Sequence, residues 1–387
     1  MNPKNIYLIA VLLTIMILPS LTLSAQEYEH GFYYGGRIRT GYFTQSREDR
    51  DGTESVGGNF RLRLNLGAGY RLSPQWSVWA RFGGRFSNDQ ESMKFHITDH
   101  IPRGSDGLPL GESTIDELYV NYQSAGGLNV RLGRMQTSFQ LKGVPKKSLD
   151  REDSPNTDVN WTDGLFVSWP FHESYTLHVI AQYNAETWAS NILRPPLDFG
   201  DDRSRISFFG MLDMTADNTA FVQRQLGVTW LPAALPVYGE PGEDLKDYLA
   251  ATARAAAAWP VGILESEILV GGELGYAFNT PAKTVMNTSA DPDDKAGNTA
   301  WQMSVNLMNI LSKHSIGFVF GQIEDGYLIS PDMRNNNFER ELRMQLRLAK
   351  NLTMENRVRV RSDLNQIVGA DQKRRDVDYY FRLSYRF

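Results

Sequence analysis

The chain has 387 residues, 41% of them hydrophobic, no cysteine, and a formal net charge of −5. The missing cysteine excludes a disulfide framework, a thiolate metal site and a lipid-modified cysteine, and the modest charge argues against a nucleic-acid partner. The first residues, 1–25, read as a secretory signal. Lys4 supplies a positive start, Ile6 to Leu18 is an apolar run too short to span as a helix, and Leu23-Ser24-Ala25 precedes a cut ahead of Gln26. Removing that segment takes away Lys4 and no acid, so residues 26–387 carry 39 basic against 45 acidic side chains, a net of −6.

No later apolar run approaches the roughly twenty residues of a membrane helix, and the remaining chain reads as strands. The first strand, near Phe32 to Phe43, sets Ile38, Thr40 and Tyr42 on one face and Arg37 and Arg39 on the other. In the second, Phe60, Leu62, Leu64, Leu66, Ala68 and Tyr70 alternate with Arg61, Arg63, Asn65, Gly67, Gly69 and Arg71. A Ser73-Pro74-Gln75 turn leads to the third, where Trp76, Val78, Ala80, Phe82 and Phe86 alternate with Ser77, Trp79, Arg81, Gly83 and Arg85. Such period-two alternation marks a strand with one apolar and one wet face. The pattern recurs around Leu118–Tyr122 and Leu128–Leu132, then after a long polar loop from about Gln136 to Asp163. It continues through the paired strands on either side of short turns at His172-Glu173-Ser174, Asp217-Asn218, Pro260-Val261-Gly262, Ser312-Lys313-His314 and Lys350-Asn351. Tyr248 to Trp259 is ambiguous, because its alanine run suits a helix as well as a strand. The tally is sixteen strands, with a latitude of about two, joined by long and short connections in strict alternation. That asymmetry, with polar residues on every second position, predicts an all-β fold: a single antiparallel transmembrane β-barrel.

The last strand carries the alternation furthest. Val377, Tyr379, Phe381, Leu383, Tyr385 and Phe387 are apolar or aromatic, against Asp378, Tyr380, Arg382, Ser384 and Arg386. The ending resembles the terminal aromatic signature of Gram-negative outer-membrane β-barrels, and the resemblance implies that Tyr385 and Phe387 are read by the outer-membrane assembly machinery.

Enzymatic constellations are sparse. The six histidines, His30, His96, His100, His172, His178 and His314, do not sit at metal-ligand spacing on one element. No serine has a nucleophile-elbow context, and no cofactor is implied. The informative pattern is arginine on the wet face: Arg37, Arg39, Arg61, Arg63, Arg81 and Arg85 near the start, and Arg343, Arg347, Arg357, Arg359, Arg382 and Arg386 near the end. Barrel closure brings these distant strands into one wall. A charge facing lipid costs several kcal/mol at mid-depth, so the guanidinium groups are expected to face the lumen. There they either pair with lumenal acids such as Glu117, Glu341, Glu355 and Asp378, or face a water-filled pore that favours anions.

Leu132-Gly133-Arg134-Met135-Gln136 is similar to the end of the fifth strand in sixteen-stranded general porins. The resemblance implies that the following loop folds into the barrel and narrows it. Asp150, Glu152, Asp153 and Asp158 would then face arginines such as Arg37, Arg61, Arg63, Arg81, Arg359 and Arg382. The Pro-Glu-Phe-Gly element of that family's loop is absent.

The expectation is a bacterial outer-membrane channel, not an enzyme, for passive diffusion of small hydrophilic solutes with a preference for anions. The lipid bilayer is its surrounding partner, and the porin resemblance implies a homotrimer. The alternatives are a substrate-specific or export channel for an acidic saccharide, and a barrel hydrolase.

Overall fold

The computed structural model describes residues 31–90, 94–95, 107–152, 159–184, 194–199, 205–214, 220–262 and 264–387. The expected signal segment, His30, His96, His100, Asp153, Asp158 and the Asp217-Asn218 turn lie outside these residues. Among them, sixteen long strands close into one antiparallel barrel. In chain order they are β1 Gly31–Glu48, β2 Glu54–Arg71, β3 Trp76–Ser87, β4 Glu112–Gln123, β5 Asn129–Met135, β6 Thr162–His172, β7 Tyr175–Asn184 and β8 Arg205–Met214. Then follow β9 Phe221–Leu235, β10 Lys246–Val261, β11 Ser266–Ala277, β12 Thr299–Ile310, β13 His314–Ile323, β14 Asn337–Ala349, β15 Leu352–Asp363 and β16 Arg375–Arg386. A two-residue strand, Lys94–Phe95, runs parallel to the start of β4. The described residues contain no helix long and apolar enough to cross a membrane.

Each strand pairs with its chain neighbour, and β1 closes on β16 with Arg37 opposite Arg386 and Glu48 opposite Arg375. Closure leaves no sheet edge, which is why backbone at membrane depth can forgo water. The outward residues form an apolar belt: Leu118, Leu132, Leu226, Val228, Leu274, Met303, Val305, Phe318, Leu342 and Val358 are all exposed. Aromatic pairs flank it. Phe32–Tyr70 (4.8 Å) and Trp76–Tyr122 (4.9 Å) lie at the short-turn end, and Tyr42–Phe60 (5.1 Å) and Phe208–Trp230 (5.3 Å) at the long-loop end. These are the interfacial girdles of a membrane-spanning barrel.

The alanine run is strand, not helix, and its neighbours explain its composition. Inward Ala250 and Ala256 are buried beneath chain that enters the barrel. The loop between β5 and β6 folds inward, and its described residues pack against β9–β13. Leu141 sits on Ala256 and Leu269. Farther toward the long-loop end, Leu149, Leu197, Phe199, Leu231, Leu235, Tyr248, Tyr327, Ile329 and Met333 form one buried apolar cluster. Tyr327 Oη donates to the Leu149 carbonyl (2.8 Å), and Tyr248 Oη donates to the Gly326 carbonyl (3.1 Å). An added Cβ on Gly275 would lie 2.5 Å from the Tyr327 hydroxyl, so the absence of a side chain there is what admits the ring.

Candidate functional site: a cation-lined cavity in the barrel

Opposite the filled side, β14–β16 and β1–β4 carry the charged wall. Register sets its pattern. Arg39 lies directly across from Arg63, and Arg63 from Arg85, so three guanidinium side chains start from one row of β1, β2 and β3. On β14 and β15, Arg343 is opposite Arg357, and Glu341 is opposite Arg359. Glu355 of β15 is opposite Arg382 of β16.

Many of the wall's arginines are engaged by acids. Arg357 and Arg359 both reach Asp378, at 2.6 and 2.8 Å, and Arg359 also approaches Glu339 at 3.8 Å. Arg343 binds Glu341 (2.5 Å) and approaches Glu355 (3.7 Å), which also binds Arg382 (2.7 Å). Arg81 binds Asp116 (2.9 Å) and Glu117 (3.1 Å). At the long-loop end a single carboxylate, Asp376, gathers Arg47 (3.4 Å), Arg334 (2.7 Å), Arg361 (3.5 Å) and Arg374 (3.1 Å). Arg61 donates to Asn59 (2.7 Å) and lies over the Phe43 ring, Arg63 donates to Asn65 (3.2 Å), and Arg85 donates to the Leu108 carbonyl.

Toward the short-turn end the balance changes. A cavity of about 970 Å³ opens between the wall and the inward loop. Arg37, Arg347, Arg386, Lys146 and Lys350 line it, and no carboxylate among the described residues lies within ion-pair reach of any of the five. Its two acidic lining residues, Glu117 and Glu355, are already engaged by Arg81 and by Arg343 with Arg382. Lys146 belongs to the loop. Desolvation inside the barrel, and then the facing Arg386, Arg37 and Arg343, lower its pKa.

Of the four expected constriction acids, Asp153 and Asp158 lie outside the described residues, and Asp150 does not meet this wall. Asp150 instead pairs with Arg254 in the middle of the alanine-rich β10, and the same guanidinium binds Glu273 of β11 at 2.7 Å. Burial pushes the Asp150 carboxyl up, against the pull of Arg254. Glu152 is buried and accepts from Thr162 Oγ1 (3.2 Å). It is Lys147 that joins the loop to the charged wall, bridging Glu339 (2.6 Å) and Glu341 (2.9 Å). Backbone bonds fix the rest of the loop. Val144 N–H donates to Asn306 (2.9 Å), Lys142 N–H to Gln223 (2.8 Å), and Leu149 N–H to Glu273 (3.2 Å). The loop thus turns Asp150 to the far wall and the Lys146 ammonium group to the cavity, so at Asp150 the arrangement is the reverse of the one that the porin resemblance implied.

Sequence reasoning passed over Arg254, Glu273 and Lys147. The available signal for Arg254 was a lone charge at an inward position of an otherwise apolar run. At the C-terminus, the Tyr385 and Phe387 rings stand 6.1 Å apart, and Phe387 exchanges backbone hydrogen bonds with Gly36 at 3.0 and 3.2 Å. No group of histidine and acid side chains among the described residues could hold a metal ion.

No family model and no curated protein matches the chain. Solved structures do. The high-pH structure of Pseudomonas putida OprB aligns with a TM-score of 0.57 and 11% identity, over 92% of this chain and 94% of that one. Salmonella typhi OmpF in complex with daunomycin gives 0.54 and 9%, over 93% and 98%. Pseudomonas aeruginosa OccK8 (OprE) gives 0.51 and 11%, over 91% and 98%. At such identities the likeness is one of fold. The chain has the barrel fold of outer-membrane porins, and its apolar outer belt suits that barrel to a lipid bilayer.

Proposed function

We propose that this chain is a channel for passive diffusion of small hydrophilic solutes and that it favours anions. The observation that carries the reading is the cavity of about 970 Å³ with five cationic side chains that have no acidic partner among the described residues and two acids that are both engaged. Fixed charge inside a low-dielectric wall raises the local concentration of counter-ions, and rings of charged side chains select ions in pores. Asp376, Asp378 and Glu355 each hold two or more guanidinium groups in place.

The test is a planar bilayer with a tenfold KCl gradient. The expected result is an open conductance with a reversal potential on the chloride side. An absence of conductance overturns the channel reading, and a potential on the potassium side overturns the anion preference.

A further inference from the structure

The cavity has a second face that a plain anion filter does not call for. Tyr33 of β1 and Trp79 of β3 stand in one row with Gly69 of β2 between them. The two rings lie over the glycines of the intervening strand. An added Cβ on Gly69 would meet the Tyr33 ring at 2.4 Å, and one on Gly67 would meet the Trp79 ring at 2.2 Å. The rings stack at 5.4 Å with an interplanar angle of 13°. Trp79 Nε1 donates to Glu117 (2.7 Å), which also binds Arg81, so the indole is fixed in place. Trp79 lines the same cavity as Arg37, Arg386 and Lys146. Neutral polar side chains complete the lining, among them Asn65, Gln136, Ser138 and Gln345.

An inorganic anion uses the cations and can accept from the amides, but it has no apolar face for the indole. An aromatic acid uses the indole and the cations but has no ring hydroxyls to exchange hydrogen bonds with the amides. A neutral sugar leaves the cations idle. A sugar acid uses all three, because its ring has an apolar C–H face, a girdle of hydroxyls and a carboxylate. Pockets that select small molecules combine an apolar platform with a few placed polar groups in this way. We infer that the cavity is a binding site for an acidic monosaccharide of the hexuronate class, its ring against Trp79 and its carboxylate among Arg37, Arg386 and Lys146. The inference rests on the anion-channel reading and names the solute class of the same cavity.

The experiment measures block of KCl current through the reconstituted protein by glucuronate, glucose, acetate and benzoate. Glucuronate is expected to half-block at a concentration at least tenfold below each of the other three. Trp79→Ala is expected to lower the preference for glucuronate over acetate at least fivefold. Trp79→Phe, which keeps a ring, should retain most of that preference, and heat-modifiable migration on a gel verifies that both variants fold. Glucuronate block no stronger than acetate block, equal block by benzoate, or an unchanged glucuronate-to-acetate ratio in a folded Trp79→Ala barrel each overturns the inference. A cation-selective wild-type channel overturns instead the reading beneath it.

Discussion

Arg37 and Arg386 stand directly opposite one another across the seam where β1 closes on β16. Both line the cavity, and neither has an acid within reach among the described residues. Like charges directly across a strand pair are destabilising. A barrel seam is a poor place to accept that cost unless solute or water offsets it. Arg386→Gln should therefore raise the urea midpoint of the detergent-solubilised barrel slightly and at the same time lower its chloride-to-potassium permeability ratio. A variant that loses stability with unchanged selectivity would show the pair to be structural.

Arg254 is the opposite case. It is buried between Asp150 and Glu273, and removing it leaves two buried carboxylates without a cation. Breaking a buried pair from one side costs about 3–5 kcal/mol. Arg254→Ala should destabilise the barrel by about that amount, measured by chemical unfolding in micelles. It should also raise single-channel conductance, because the Asp150 end of the loop loses its anchor on β10. Conductance at or below wild type would mean that the backbone bonds of Val144 and Leu149 hold the loop without it.

Lys146 and Lys147 are neighbours with different predicted roles. Lys147 is buried on Glu339 and Glu341, whereas Lys146 is exposed to the cavity. Lys147→Met should lower the unfolding midpoint strongly, while Lys146→Gln should leave it within error and reduce anion selectivity. Equal effects of the two on stability would fail this prediction.

The Lys146 shift gives a pH dependence with a definite sign. Its folded pKa is depressed below the ordinary lysine value of 10.5. Just below pH 10.5 the folded state therefore binds fewer protons than the unfolded state, and stability contributed by this group rises with pH through that window. Selectivity moves the other way, because the cavity loses a charge as Lys146 deprotonates. Reversal potentials measured from neutral to alkaline pH should shift toward zero below the ordinary lysine range, and Lys146→Gln should flatten the curve.

The barrel itself was legible because each strand writes its two faces in alternation. Strands such as β2 and β16 need no tertiary information to be recognised. The alanine-rich β10 was ambiguous for a physical reason. Its inner face meets the loop rather than water, so both faces are small and apolar and the period-two signal disappears. The arginine positions could be read from β1, β2, β3, β14, β15 and β16, but not which acid engages which of them. That pairing depends on which acid lies across the register, as with Glu355 and Arg382. The Asp150–Arg254 contact joins residues 104 apart in sequence, through a loop whose path no local pattern specifies. Trp79 read as a wet-face residue, and so did Gly67 and Gly69. That these glycines make a shelf for two rings required knowing that β2 lies between β1 and β3.

The close fit of Leu141 on the far wall has a mechanical consequence. A Cβ added to Gly271 would come within 3.0 Å of a Leu141 methyl group, and Ala256 lies beside it. The inward loop therefore rests on shims one methyl group thick. Thickening one of them, as in Gly271→Ala, would push the loop toward the arginine wall and narrow the opening without altering any charged side chain. The packing that seats the loop and the arginines of the opposite wall are thus separate sets of residues, so the loop's position can be changed without substituting a charged side chain.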